Sequence, residues 1–306
     1  MVTIDLSSPA PAPQDTLDGL PRRLSLTLPE LRLLAERAGN APLPFDVAAP
    51  RPASALASRL GPDRVGADDA AHQRAAAALP DPEESLRRRG LLAGALDASV
   101  AGALGVLAAP DLAVDIDVSI GGERARAWHR RSGEAVATLA TADGLVHELA
   151  WFGVDQWADE LGRVLTLPSD HGIRDSEVPA EVSVPFELLD AGSEAVRAGR
   201  TDLLTAIVER HLAGTRAADG QPLQATAAAA LVTALVGETQ GRARLLTART
   251  ADPVDRVGVL SLVLVADGWR VLAARRDDGH HLVDVRALEP GCLASLLAPV
   301  VAEVQA

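Results

Sequence analysis

The sequence predicts an α+β protein built from one unit used twice, with its strands set for a broad antiparallel sheet. Three observations predict this. Two runs of four short segments alternate apolar and polar residues between tight turns. Helical periodicity precedes and follows each run. The order strand, helices, Ala-rich helix, four-stranded meander, helix also recurs after about 150 residues, far longer than a solenoid repeat. The 306-residue chain is 48% hydrophobic but only 2% aromatic. Its core must therefore be Leu, Val and Ala, which suits helices packed closely on a sheet.

The first half opens with Leu24-Ser-Leu-Thr-Leu28, which alternates as a half-buried strand does. Pro29 begins a helix carrying Leu31, Leu33, Leu34 and Ala38, and Gly39-Asn40 stops it. Ala41 to Gly66 is rich in Pro and Ala and reads as an irregular excursion, and Ala67 to Leu79 reads as a helix. Asp81-Pro-Glu-Glu84 places acid at the positive end of a helix, whose pattern runs to about Ala108 with a break near Gly90 or Gly94. In Ala113 to Ile120, Val114, Ile116 and Val118 alternate with Asp115, Asp117 and Ser119, the clearest strand in the chain. Arg124–Arg130, Ala135–Thr141 and Leu145–Trp151 follow, joined by Gly121-Gly122, Ser132-Gly133 and Asp143-Gly144 turns. A helix over Val154–Leu165 and a polar linker over Leu167–Pro179 complete the half.

The order then repeats. Glu181-Val-Ser-Val184 alternates, and Phe186, Leu188 and Leu189 follow Pro185 as Leu31 follows Pro29. Helices are expected over Thr201–Leu212 and Pro222–Val236. Strands are expected over Gly241–Thr250, Arg256–Ala266, Trp269–Arg275 and His281–Arg286, and a closing helix over Pro290–Val304. The expected organisation is a disordered tail over 1–23, an N-terminal half over 24–168 and a C-terminal half over 180–306, the halves forming one compact domain. The Pro/Ala/Ser-rich N-terminus lacks the basic and apolar regions of a signal peptide.

Charge and chemistry narrow the function. The net charge is −13, and a nucleic-acid binder needs a basic footprint. The dense basic run Arg87-Arg88-Arg89 has no flanking aromatics, so no nucleic-acid partner is expected. Gly90 to Pro110 is nearly uncharged, but it is rich in Ala and Gly and contains Asp97. A carboxylate at the bilayer centre costs about 3 kcal/mol on insertion scales, so a buried helix is expected and no stable membrane insertion. Cys292 cannot form an internal disulfide, and its apolar surroundings predict a buried small side chain.

No catalytic pattern emerges. There is no Gly-rich phosphate loop and no nucleophile elbow. His147-Glu148 begins like a zinc-protease helix, but Trp151 stands where the second His is required and the segment reads as a strand. His280-His281 reads as a polar hairpin tip, and Asp115 and Asp117 as the wet face of a strand. Trp128-His129-Arg130-Arg131 is an aromatic and basic cluster of the kind that anchors interfaces, or else a core Trp with solvated Arg neighbours. Leu203, Ile207, Leu231 and Leu235 lie on helices whose apolar stripes suit either a core or a groove for a helix. With Trp128 and Arg130 they are the candidate partner-binding residues. The alternative is a hydrolase-like enzyme whose site assembles from scattered Asp and His residues.

From Leu24 to Val304 the layout resembles the EspG-type chaperones of actinobacterial type VII (ESX) secretion systems. The resemblance is carried by Ser25-Leu-Thr-Leu-Pro-Glu-Leu31 and by Gly90-Leu-Leu92 before a helix that ends in Leu107-Ala-Ala-Pro-Asp-Leu-Ala-Val-Asp-Ile-Asp117. Val182-Ser-Val-Pro185, Gly268-Trp-Arg-Val-Leu272 and Leu288-Glu-Pro-Gly291 add to it. The long Ala41–Gly66 excursion departs from it. The resemblance implies a quasi-two-fold central antiparallel sheet with helical bundles. It also implies a cytoplasmic chaperone that binds helical secreted proteins of the PE–PPE type or similar, needs no cofactor and is not an enzyme. It leaves the oligomeric state open.

Overall fold

The structure, a computed structural model, describes residues 21–45, 74–75, 78–167, 171–250, 256–277 and 279–305. Residues 1–20 of the expected tail and most of the Ala41–Gly66 excursion and the Ala67–Leu79 helix lie outside the described residues, while Arg22 and Arg23, expected in the tail, open the first strand. Among the described residues there are eleven strands in one sheet and eight α-helices, as expected for an α+β chain. The sheet order is β1-β5-β4-β3-β2-β8-β9-β10-β11-β6-β7.

In chain order these are β1 (Arg22–Thr27), β2 (Leu112–Ile120), β3 (Glu123–Ser132), β4 (Ala135–Thr141), β5 (Val146–Gly153), β6 (Glu181–Pro185), β7 (Arg216–Ala217), β8 (Gly241–Arg249), β9 (Val257–Val265), β10 (Gly268–Asp277) and β11 (His280–Leu288). Apart from the short β7 outside β6, the order from either side is first strand, then the meander in reverse, down to β2 against β8. Two copies of one topology therefore meet at an antiparallel pair in which Ile116 faces Leu245 and Val118 faces Ala243. β1 and β6, which open the two halves, each pair with the last strand of their own meander.

The chain forms two compact units. One comprises Met1–Asp111, His129–Leu139 and Gly144–Trp157, and the other Leu112–Trp128, Ala140–Asp143 and Ala158–Ala306. In the first, α1 (Leu28–Arg37) starts at a capping box. Thr27 Oγ1 accepts from the Glu30 amide at 3.4 Å, and Glu30 Oε2 accepts from the Thr27 amide at 2.7 Å. The Arg89 guanidinium donates to Glu30 at 3.3 Å and to the Ser25 carbonyl at 2.9 Å, so the buried carboxylate is both bonded and neutralised. The helical pattern over 81–108 breaks where expected, into α2 (Pro82–Arg88) and α3 (Ala98–Ala108). Gly90 and Gly94 between them take φ of 76° and 85°, a region that favours glycine. Val100, Ala103, Leu104 and Leu107 bury one face of α3, so the stretch that imitated a membrane span packs in a core. No helix among the described residues is long and apolar enough to cross a membrane. A 3-10 turn over Val154–Gln156 leads into α4 (Trp157–Val164).

In the second unit both faces of the sheet are used. α5 (Phe186–Arg197), α6 (Thr201–His211) and α7 (Ala225–Glu238) share a core with Val182, Val184, Val263, Val265, Val283 and Val285. On the opposite face α8 (Leu293–Gln305) lies over β8 and β9. Successive strand residues point to opposite faces, so Gly258, an odd number of residues from Val263, faces α8. Trp269 is fully buried and donates its indole N–H to the Leu165 carbonyl at 2.9 Å. The polar linker is docked by particular bonds: Arg174 N–H reaches Ala266 O at 3.0 Å, and Val178 is buried. Cys292, expected to be buried, is exposed, because it lies in the Pro290–Cys292 3-10 turn ahead of α8 and not on an apolar helix face.

Candidate functional site

The candidate site is an open apolar groove on the second unit, built chiefly on α5. Acidic Glu187 in the first turn and basic Arg197 in the last both match the helix dipole, and Gly199 at φ 66° ends the chain's helical path. The helix has two working faces. Leu188, Gly192 and Ala195 are buried against α6 and α7. Gly192 permits the close approach: a Cβ there would stand 3.2 Å from Val232 and 3.4 Å from Leu204.

The second face follows the spacing i, i+3, i+4, i+7 and i+11: Phe186, Leu189, Asp190, Ser193 and Arg197. These line a groove of about 510 Å³. Its far wall is the end of α7, with Leu235, Val236 and Thr239. Its floor is the sheet, where Arg242 pairs in register with Val263, and Leu272 pairs with Ser261. Phe186 remains 50% exposed at the rim. A half-exposed Phe over an apolar trough with a polar margin is the form of a helix-accepting groove. On the same sheet face, beyond the helices, Val257 and Val259 are also exposed.

The six residues nominated from sequence fall in different places. Leu235 lines the groove, though most of its side chain is in the core. Leu231 is buried in that core and does not reach the groove. Leu203 is 43% exposed and Ile207 half-buried on α6, next to the buried Leu204 and Val208. Trp128 is only 8% exposed, and Arg130 is buried, its guanidinium donating to the His129 carbonyl at 3.0 Å. These two do not offer an exposed aromatic and basic anchor, because the Ala127–Arg130 stretch of β3 is buried on successive residues and therefore on both faces. The aromatic that is offered to solvent is Phe186. The sequence signal for it was the second stripe on α5, with Phe186, Leu189 and Ser193 beside the Leu188–Gly192–Ala195 core stripe.

Several of the Asp and His residues of the enzyme alternative have structural partners. Asp117 is held by Arg124 and, at 3.6 Å, by Arg126. His129 Nδ1 accepts the indole N–H of Trp157 at 3.0 Å, which assigns the ring proton to the other nitrogen. His147 stacks at a tilt on Phe45, with ring centroids 5.3 Å apart. His280, with His211, lines a separate polar recess of about 490 Å³. Among the described residues no His, Cys, Asp and Glu cluster is arranged to hold a metal.

No family model and no curated protein matches the chain. Among solved structures, the Mycobacterium tuberculosis type VII secretion chaperone EspG5, in complex with the PE25–PPE41 dimer, aligns with 92% of this chain and 96% of its own. The TM-score is 0.59 and the identity 16%. The fold is shared with EspG5. That likeness extends across the groove-bearing unit and the first unit alike, and at this identity it describes the fold alone. A second structure, HtdX from the same organism, aligns at a TM-score of 0.14, too low to indicate a common fold.

Proposed function

We propose that this protein is a cytoplasmic secretion chaperone that holds a helical secreted protein, of the PE–PPE type or similar, with its apolar surface covered until export through a type VII system. The observation that carries the reading is the open groove under Phe186, set in a fold shared with a chaperone whose structure contains such a dimer. An amphipathic helix or helical hairpin would bury its apolar stripe on Phe186, Leu189, Val236 and Leu272, while Asp190 and Arg197 keep the margin wet. Burying a Phe that is half-exposed in the free protein contributes on the order of 1 kcal/mol by area, and aromatic anchors carry a large share of the binding energy at interfaces.

In this reading Leu235 belongs to the contact surface. Leu203 and Ile207 supply further apolar surface on α6. Trp128, Arg130 and Leu231 act indirectly, by holding the strands and helices in place. The proposal needs no cofactor and no chemical step.

Co-expression with the small helical secreted proteins encoded beside the gene, followed by size exclusion with light scattering, tests it. A stoichiometric complex that keeps the partner soluble is expected. A partner that is equally soluble alone, with no co-elution, would overturn the reading.

A further inference from the structure

The sheet face that floors the groove continues, beyond α5 and α7, as an exposed basic strip. On β8, Ala243, Leu245 and Thr247 are buried, whereas Arg242 and Arg244 point to the other face and are exposed. Arg242 is itself a groove residue. Register places Ser119 of β2 beside Arg242 and Asp117 beside Arg244. Asp117 is already shared between Arg124 and Arg126 of β3. Neither Arg242 nor Arg244 forms an ion pair with a described residue. The strand face thus carries four arginines, Arg124, Arg126, Arg242 and Arg244, against Asp117 and Asp115, the latter opposite Leu246. This local surplus stands out in a chain of net charge −13.

We infer that Arg242 and Arg244 select the client: a helical protein segment with acidic residues one turn apart beside its apolar stripe. The inference rests on the groove being the helix-binding site. Its geometry follows from the repeats of the two structures. Residues two apart on a strand are about 6.8 Å apart, and residues four apart on a helix are about 6 Å apart along the axis. Two acids at i and i+4 therefore meet the two arginines while the apolar stripe lies over Val263 and Leu272. Rim charges of this kind set orientation and partner choice more than total affinity. A nucleic acid is the less suitable anion: the net charge repels it, and the groove margin carries Asp190.

The test uses the full chain and two labelled synthetic amphipathic helices of about 20 residues, alike in their Leu/Phe stripe. One carries Glu at the flanking i, i+4 positions and the other Gln. Fluorescence anisotropy is read at about 50 mM and about 300 mM salt, where screening differs strongly. The Glu peptide is expected to bind about tenfold more tightly at low salt, with the gap closing at high salt. Arg242→Gln with Arg244→Gln should abolish the preference, and Arg242→Glu with Arg244→Glu should invert it, with the circular dichroism unchanged. Equal binding of both peptides, or a preference that survives the charge reversal, would overturn the inference and leave the groove reading standing. Failure of both peptides to bind would overturn both. A duplex DNA that displaces the Glu peptide and loses that ability in the Gln double variant would assign the strip to nucleic acid and overturn the inference.

Discussion

Gly258 on β9 lies directly beneath Val300 of α8, so close that a Cβ on the glycine would collide with Val300 Cγ1. The C-terminal helix is therefore seated by the absence of a side chain. Gly258→Ala should destabilise the protein by about 1–3 kcal/mol, the usual cost of overpacking. Val300→Ala in the same chain should recover most of that loss. Chemical denaturation of the two single variants and the double variant measures the coupling.

Phe186 and Leu231 should behave oppositely when replaced by Asp. Phe186 is half-exposed, so Phe186→Asp should change stability by no more than about 0.5 kcal/mol while abolishing co-purification of a helical client. Leu231 is buried among Val182, Ala228 and Leu235, and a charge there has no partner. Leu231→Asp should unfold the second unit. Thermal melts beside pull-downs separate a lost contact from a lost fold.

Glu30 ties the start of α1 to Arg89. Burial pushes its carboxyl up, but hydrogen bonds from Ser85 and from the Thr27 amide and hydroxyl, with the Arg89 charge, outweigh that and hold it below its ordinary value. The unfolded chain therefore binds the proton more readily than the native one. The stabilisation is full above the ordinary carboxylate range and is lost as pH falls through the lower native value. Glu30→Gln should cost about 1–3 kcal/mol near neutral pH. The gap to wild type should narrow as the pH is lowered through the acid range, as denaturation midpoints at a series of pH values would show.

Glu238 fixes the linker between the halves. Its carboxylate accepts from Ser176 Oγ at 2.6 Å, from the Glu177 amide at 2.8 Å and from the Ala266 amide at 3.4 Å. A carboxylate at a helix C-terminus opposes the dipole, and these donors offset that. Burial raises its pKa, yet Ser176, Glu177 and Ala266, with the Arg174 charge, bring it below the ordinary value. Glu238→Ala should free the Glu177 and Ala266 amides, detected as faster hydrogen exchange at those two positions.

Much of this architecture is legible in the sequence because a strand's alternation is local. Val114, Ile116 and Val118 against Asp115 and Asp117 announce both the strand and its buried face, and the second meander repeats the signal. The duplication follows from the order of such segments. The site is less legible. Whether an apolar helical residue meets a neighbouring helix or open solvent depends on a third element distant in sequence. Leu231 and Leu203 look alike on their helices, yet α5 and the sheet bury the first and not the second. Trp128 looks like an anchor only until its strand is seen to be covered on both faces. Phe186 is hidden in the sequence for the converse reason: it follows Pro185 as a core residue would, and only the end of α7 and the strand floor make its second stripe a groove. Cys292 is exposed because a Pro-Gly turn keeps it off the apolar face that its neighbours occupy.

The most direct test is hydrogen exchange on the full chain, alone and in complex with a co-purified helical client. Protection gained over Phe186–Arg197 and over 235–242, and abolished together with the complex by Phe186→Asp, is the expected result. A stable complex that leaves those segments unprotected and tolerates Phe186→Asp would contradict the assignment of the groove as the client-binding site.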